Sequence, residues 1–266
     1  MVLDLLQANK FFAKLSKCIF LVAKVDYLGH VISASGVSLD PEKITAVLNW
    51  PVPNSLTTLR GFLGLTGFYR RFVRNYATIA APLTDLLKVT KFKWNIQAAE
   101  AFTKLKEAMT STSILVLPDF SKPFHGETDA FAVTIGVILS QEGHPLGFFS
   151  RKMCSRMQQS SVYVCELFAI TEAVKKWRQY LVGRHFKIFT DQKSLKELLT
   201  QTIQTPEQQK WAVKLQGFSF DIHYKPGNPN LVADALSRQF SDTSDSPLMA
   251  ITSAVPTVLQ DLRNFY

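Results

Sequence analysis

Four acidic residues in the second half of the chain lie within or beside apolar segments, an unusual setting for a carboxylate. They are Asp129 in GETDA, Glu166 in YVCELFAI, Asp191 in FTDQKSL and Asp234 in VADALSR. They are too far apart in the sequence to share one helical turn or one hairpin. A carboxylate is rarely buried unless it is paired or binds a metal. If the four converge, we expect them to bind divalent cations.

The donor atoms indicate which cations these would be. A set of carboxylate oxygens suits Mg²⁺ or Mn²⁺, which prefer hard ligands. Two such ions, roughly 3.5–4 Å apart, can activate water and stabilise the leaving oxygen in phosphodiester cleavage. Simpler roles stay open for each acid. Asp129 and Asp191 could lie at strand ends and cap a turn or a helix, Glu166 could be favoured in a first helical turn by the helix dipole, and Asp234 could face solvent near a helix start.

The elements that would position these acids follow from the pattern of apolar residues. From about residue 122 the order is three strands, a helix, a strand, helices, a strand and a helix, which predicts a mixed α/β fold. The predicted strands are 124–130, 133–141, 146–152, 185–191 and 220–226, and the predicted helices are 162–181, 194–199, 206–217 and 231–238. Asp129 and Asp191 then end the first and fourth strands, Glu166 lies in the first turn of the long helix, and Asp234 lies on the last helix.

The first 120 residues have a mostly helical pattern. Asp40 is a predicted N-cap followed by Pro41 at the first helical position, and Ser55 is predicted to open a helix with several arginines. These arginines could form a solvated face or bind phosphates. The predicted helices are 1–17 (ending in a turn), 41–50, 55–76, 79–88 and 92–111, and two short strands are predicted within 18–33. We place a domain boundary near residue 120.

Composition narrows the class of partner. The chain has 30 Lys and Arg against 21 Asp and Glu, a formal charge of +9, which suits a polyanion but also a membrane surface or solubility alone. Three scattered cysteines indicate neither a disulfide framework nor a zinc site. The sequence contains no apolar run of about 20 residues and no signal-peptide pattern. We therefore expect an intracellular protein, cytoplasmic or nuclear, that does not enter a membrane.

The motifs around the acids resemble the ribonuclease H domain of reverse transcriptases. These motifs are ETDA, FFSRK, KKWRQYLVGRHFKIFTDQKSL, TPEQQKW and YKPGNPNLVADALSR. The resemblance is to Pol polyproteins of gypsy-class long-terminal-repeat retrotransposons, and TDQKSL and TPEQQKW are similar to plant elements. Upstream, YLGHVIS, LRGFLGLTGFYRRFV and IAAPLTDLLK resemble the part of these polyproteins that precedes ribonuclease H. The resemblance extends over about residues 10–240.

The resemblance implies a domain organisation. Residues 1–37 would be the end of the polymerase palm, 38–85 a thumb-like region, 86–120 a connection, 121–239 the ribonuclease H-like domain and 240–266 a linker. The implied fold class is α/β, with an α+β thumb and connection region followed by a mixed α/β domain around a five-stranded sheet.

The resemblance also implies an activity. Asp129, Glu166, Asp191 and Asp234 match the catalytic, metal-binding acids, which would hold two Mg²⁺ or Mn²⁺ ions. The reaction would be endonucleolytic hydrolysis of the RNA strand of an RNA–DNA hybrid by in-line attack of water, with the 2′-OH distinguishing RNA from DNA. The implied partners are the hybrid, a template–primer and the rest of the Pol polyprotein, namely its palm, fingers and integrase.

Some positions depart from the family pattern. Phe131 and Ala132 stand where a Ser and an acid are usual, Val164 and Cys165 stand where Glu-Lys is usual, and Gln192 stands where many relatives have His. None of these removes a metal ligand. The sequence contains no adjacent Asp-Asp pair, so we expect that the chain does not polymerise DNA by itself. The alternatives are a catalytically inactive, nucleic-acid-binding relic of a retrotransposon and a purely structural, self-associating role.

Overall fold

The structure is a computed structural model that describes residues 2–131, 133–197 and 206–226. Three predictions lie outside the described residues: the position of Asp234, the last helix at 231–238 and the linker at 240–266. The predicted domain boundaries at residues 37, 85 and 120 stay predictions. None of the helices in the described residues is long and apolar enough to cross a membrane.

The chain begins with a short helix and a small antiparallel sheet. Helix α1 (Val2–Ala8) and a 3₁₀ turn at Leu15–Lys17 precede strands β1 (Lys24–Tyr27), β2 (His30–Ser33) and β3 (Gly36–Leu39), which pair in that order. Strand β3 was not predicted from the sequence. It is held by a distant residue, since the backbones of Val37 and Leu115 exchange hydrogen bonds of 2.7 and 2.9 Å, and no local pattern encodes such a contact.

Four helices follow the small sheet. They are α2 (Pro41–Leu48), α3 (Leu56–Phe68), α4 (Tyr76–Leu86) and α5 (Ile96–Thr110). The side chain of Asp40 accepts a hydrogen bond from the Glu42 amide, which confirms the predicted N-cap. The predicted helix 55–76 is too long: α3 ends at Phe68, and a 3₁₀ turn follows at Arg70–Phe72. The chain then turns at Asn75, whose φ of 54° is left-handed and incompatible with a continuous helix.

A capping box starts α3. Ser55 Oγ accepts from the Thr58 amide at 3.3 Å, and Thr58 Oγ1 accepts from the Ser55 amide at 3.1 Å. We expect Ser55→Ala to lower the free energy of unfolding by about 1 kcal/mol, because it leaves an amide of the first turn without its acceptor. Urea unfolding measures this change. Thr57→Ala, at an exposed position of the same turn, is the control and should be neutral or slightly stabilising.

The second half of the chain is built on a five-stranded mixed sheet. Its strands are β4 (Phe124–Phe131), β5 (Thr134–Gln141), β6 (His144–Lys152), β7 (His185–Thr190) and β8 (Ser219–Tyr224), in the order β6-β5-β4-β7-β8. The pairs β4–β5 and β5–β6 are antiparallel, whereas β4–β7 and β7–β8 are parallel. The predicted mixed α/β fold with a five-stranded sheet is confirmed.

One face of this sheet is covered by helices. The helices in this half are α6 (Ser155–Gln158), α7 (Val162–Lys176), α8 (Arg178–Leu181) and α9 (Pro206–Leu215), with a 3₁₀ turn at Lys193–Glu197. Helix α7 buries Leu167, Ile170 and Val174 in the same core as Val137 and Ile188 of the sheet. The sequence predicted one helix over 162–181, but it is interrupted at Trp177, which divides it into α7 and α8.

The opposite face of β5 and β6 is covered by the start of α4. The Ala77 amide donates to Ser150 Oγ at 2.8 Å, and the hydroxyls of Thr78 and Thr134 are 2.7 Å apart. At the far end of α4, Lys152 Nζ lies 2.7 Å from a carboxylate oxygen of Asp85. These contacts attach the upstream helices directly to the five-stranded sheet.

Candidate metal centre

Parallel pairing of β4 with β7 brings two of the four acids to the same edge of the sheet. Glu127 of β4 lies opposite Phe189 of β7. Asp129 and Asp191 each follow these residues by two positions, so the parallel register carries both towards the same end. Asp191 comes directly after β7, as predicted, whereas β4 continues two residues beyond Asp129 to Phe131.

Helix α7 supplies the third acid. Helix α7 begins at Val162, the predicted start, so Glu166 is its fifth residue and lies in the second turn instead of the predicted first turn. Its side chain is only 1% exposed. The Ala130 amide donates to Glu166 Oε1 at 2.6 Å, and the Thr190 hydroxyl donates to Oε2 at 3.1 Å. Both oxygens are thereby oriented by strands, one by β4, which carries Asp129, and the other by β7, which directly precedes Asp191.

The three carboxylates form a compact cluster. One oxygen from each of Asp129, Glu166 and Asp191 lies within 4.8 Å of the others. Glu166 is buried at the base of the cluster, while Asp129 and Asp191 are exposed to solvent. The structure therefore brings together three of the four predicted site residues, and Asp234 lies outside the described residues.

The electrostatics of the cluster favour a bound cation. Burial raises the pKa of Glu166 to about 7, with Asp191 and Asp129 adding repulsion, although the hydrogen bonds from Ala130 and Thr190 partly oppose the shift. Burial, and then repulsion by Asp191, also raise the pKa of Asp129, and this shift is partly opposed by Arg74. Mutual repulsion between close carboxylates is relieved by a divalent ion, so this oxygen-only donor set fits Mg²⁺ or Mn²⁺.

Several contacts around the cluster were not found from the sequence. The Thr190 hydroxyl and the Ala130 amide bind Glu166, and Arg74 and Asn75 approach from the upstream helices. The run of arginines after Ser55 was the only signal for this approach. Of the departures from the family pattern, Cys165 is buried and its thiol donates to the Met157 carbonyl, so it belongs to the core.

The sheet order, the position of α7 and the acid cluster define a ribonuclease H-like fold. Residues 119–218 match the family model described as an RNase H-like domain found in reverse transcriptase. This match covers β4 to β7 of the five-stranded sheet and stops one residue before β8.

The wider similarity is to retrotransposon Pol polyproteins. The chain is 41% identical over 227 residues to the retrovirus-related Pol polyprotein from transposon 297 of Drosophila melanogaster, covering 85% of this chain and 21% of that polyprotein. It is 37% identical over 234 residues to the retrovirus-related Pol polyprotein from transposon gypsy of the same fly, and the alignment covers 83% of this chain and 23% of that polyprotein. It is 35% identical over 257 residues to the transposon Tf2-3 polyprotein of Schizosaccharomyces pombe, covering 92% and 19%.

The chain is thus similar to one part of retrotransposon Pol polyproteins, and its residues 119–218 match a ribonuclease H-like domain. The chain spans about a fifth of the length of the polyproteins that it matches. The relatives are from a fly and a yeast, so they do not support the predicted similarity to plant elements.

Solved structures share the fold. A foamy viral protease-reverse transcriptase, in a form named dRH and in complex with double-stranded DNA, superposes with a TM-score of 0.75 at 20% identity, covering 86% of this chain and 42% of that one. The foamy viral protease-reverse transcriptase in complex with RNA/DNA hybrid gives a TM-score of 0.70 at 19% identity, covering 91% and 33%. At this level of identity the likeness is one of fold.

Proposed function

We propose that this chain is a metal-dependent nuclease that hydrolyses the RNA strand of RNA–DNA hybrids, as part of a gypsy-class Pol polyprotein. The observation that carries the proposal is the cluster of three carboxylates within 4.8 Å of one another. It lies at one edge of a ribonuclease H-like sheet, where two exposed acids leave room for a substrate strand. The neighbouring structures solved with RNA/DNA hybrid and with double-stranded DNA support a nucleic-acid partner.

Asp129, Glu166 and Asp191 are the proposed ligands, and Asp234 is the proposed fourth. They would hold two Mg²⁺ or Mn²⁺ ions, and such ions, when bound, neutralise phosphate charge and promote ionisation of water. The hydrogen bonds from Ala130 and Thr190 hold Glu166 in one orientation before substrate arrives. Preorganised ligands reduce the cost of ordering the site during the reaction.

The substrate is identified by its chemistry. The chain's net charge of +9 favours association with a polyanion. In the proposed reaction a water attacks the phosphorus in line, and contacts to the 2′-OH distinguish RNA from DNA. As part of a polyprotein the chain would act with a palm and fingers on a template–primer, and with an integrase. The sequence contains no adjacent Asp-Asp pair. We therefore propose that this chain hydrolyses RNA and does not itself polymerise DNA.

The proposal is tested by incubating the purified chain with an end-labelled RNA–DNA hybrid and Mg²⁺. We expect internal cuts in the RNA strand, none in the DNA strand, and none in a DNA duplex of the same sequence. A chelator should stop the reaction and added Mn²⁺ should restore it. Cleavage that persists in excess chelator, or that cuts both strands equally, would contradict the proposal.

A second candidate is the inactive nucleic-acid-binding relic. The observation in its favour is Phe131, which stands at the end of β4, two residues from Asp129, and is 71% exposed. A large apolar side chain at this place can obstruct a polar substrate. Binding of the hybrid without cleavage in either Mg²⁺ or Mn²⁺ would favour the relic.

A further inference from the structure

The turn that precedes α4 lies beside the carboxylate cluster. Gly136 of β5 is directly opposite Asp129 in the β4–β5 pair. A Cβ atom on Gly136 would lie 2.7 Å from Asn75 Oδ1, so the Asn75 side chain rests on this glycine. Opposite residues of an antiparallel pair share a face, with Cβ positions about 4.5–5.5 Å apart. Asn75 is therefore on the same face of the sheet as Asp129 and one strand away.

The turn is fixed in this position. Just after Asn75, the Ala77 amide donates to Ser150 Oγ, and Thr78 and Thr134 bring their hydroxyls to 2.7 Å. These polar contacts lie on β5, the strand next to that of Asp129, and on β6 beyond it, so Arg74 and Asn75 are held near the acids by the fold.

Both side chains of the turn have unused hydrogen-bonding groups. Arg74 and Asn75 are exposed, and within the described part of the chain neither side chain makes a hydrogen bond or an ion pair. Arg74 also lines a pocket of about 250 Å³ together with Ser111, Ser113 and Phe148.

We propose that Arg74 and Asn75 bind the phosphate backbone of the nucleic-acid strand that enters the carboxylate cluster. A guanidinium presents paired N–H donors that match phosphate oxygens, and the Asn amide adds two more donors. The turn before α4 thus contributes substrate-binding residues to a site whose three described acids lie on or beside β4, β7 and α7. This role deepens the proposed nuclease function and rests on it for the identity of the strand.

A different role for Arg74 makes a different prediction. If the guanidinium only offsets the negative charge of the acids, then removing it changes the affinity for metal and leaves the affinity for nucleic acid as it was. If it binds phosphate, removal weakens nucleic-acid binding in the absence of any metal. The two roles are separated by measuring both affinities.

The test measures binding of a fluorescent RNA–DNA hybrid to the full chain in chelator at several salt concentrations. We expect Arg74→Ala to raise the Kd about tenfold and to reduce the slope of log K against log salt by about 1, since one phosphate contact is lost. Arg74→Lys should recover part of the affinity because it keeps the charge. Lys104→Ala, an exposed position on α5, removes the same charge away from the acids and should change neither quantity.

Gly136→Ala tests the contribution of Asn75 without altering Arg74. The new methyl group would displace the end of the flexible Asn75 side chain, and we expect the Kd to rise about two- to threefold. Circular dichroism and thermal unfolding identify any variant that fails to fold, and the exposed Arg74 variants should unfold like the wild type.

The outcomes separate this proposal from the nuclease proposal. If Arg74→Ala matches Lys104→Ala in Kd and salt slope, or changes only the affinity for Mn²⁺, phosphate binding by Arg74 is wrong, whether or not the chain cleaves. If Arg74→Ala weakens binding and the wild type does not cleave, the phosphate contact stands and the nuclease proposal fails. If the chain does cleave, Arg74→Ala should raise KM with little change in kcat.

Discussion

Asp191→Asn is expected to abolish cleavage of RNA in an RNA–DNA hybrid. Asp191 is one of three carboxylates whose oxygens lie within 4.8 Å of one another, and asparagine has the same shape without the charge. Mutations that only affect partners of a metal ligand often cost about 10- to 100-fold in activity or metal affinity. Loss of a ligand should cost more, so we expect at least about a 100-fold fall in kcat/KM in Mg²⁺.

The matched control is Asp221→Asn. Asp221 is an exposed acid on the adjacent strand β8, where its carboxylate is 3.0 Å from His185. Exposed pairs of this kind contribute little to stability. The control makes the same change of charge without touching the cluster, so it should cleave like the wild type. Unchanged cleavage by Asp191→Asn, with the control also unchanged, would show that the acids are not the active site.

The convergence of Asp129 and Asp191 was within reach of sequence reasoning. Asp129 and Asp191 were placed at the ends of two predicted strands, 124–130 and 185–191, and acids at the same-side ends of neighbouring strands face one edge of the sheet. The helical pattern after Ser161 similarly placed Glu166 on α7, although one turn too early. Local periodicity therefore located the elements that carry the three clustered acids.

What the sequence did not reveal depends on contacts between distant residues. Strand β3 is held by Leu115, almost 80 positions later, and the approach of Asn75 to the acids depends on Gly136. The end of α3 at Phe68 was missed because the chain continues into a 3₁₀ turn at Arg70–Phe72, and the left-handed turn at Asn75 comes only after it. The partners of Glu166 were missed because a backbone amide leaves no signature in the sequence.

The second large effect concerns stability in the absence of metal. In chelator, Glu166 has its pKa raised from 4.5 to about 7, mainly by burial. The folded state thus keeps this proton to a higher pH than the unfolded state. The protonated Glu166 side chain therefore makes its full contribution to the free energy of unfolding below about pH 4.5, and this contribution is lost as the pH rises through about 7. The shift corresponds to about 3 kcal/mol in the free energy of unfolding.

Glu166→Gln should remove this dependence. The neutral amide can still accept from the Ala130 amide, and the Thr190 hydroxyl can rotate to accept from it. We therefore expect the variant in chelator to be more stable than the wild type at pH 8 by up to about 3 kcal/mol, and to differ little at pH 4. Urea unfolding at a series of pH values measures the difference between the two proteins. Taking that difference cancels the titration of other groups, such as Asp129, that both proteins share.

Divalent metal should reverse the order of stability. If the cluster is the proposed metal site, Mg²⁺ should bind its ionised form and stabilise the wild type by an amount that grows with concentration above its Kd, more strongly above pH 7 than below. Glu166→Gln lacks a ligand and should gain much less, while also losing cleavage. Glu166 would then lower the stability of the metal-free protein and be required for cleavage when metal is bound. Such a residue is retained for function at a cost in stability. If Glu166→Gln is no more stable than the wild type at pH 8 in chelator, then burial and the neighbouring acids do not raise the pKa of Glu166, and the electrostatic argument for a metal centre fails.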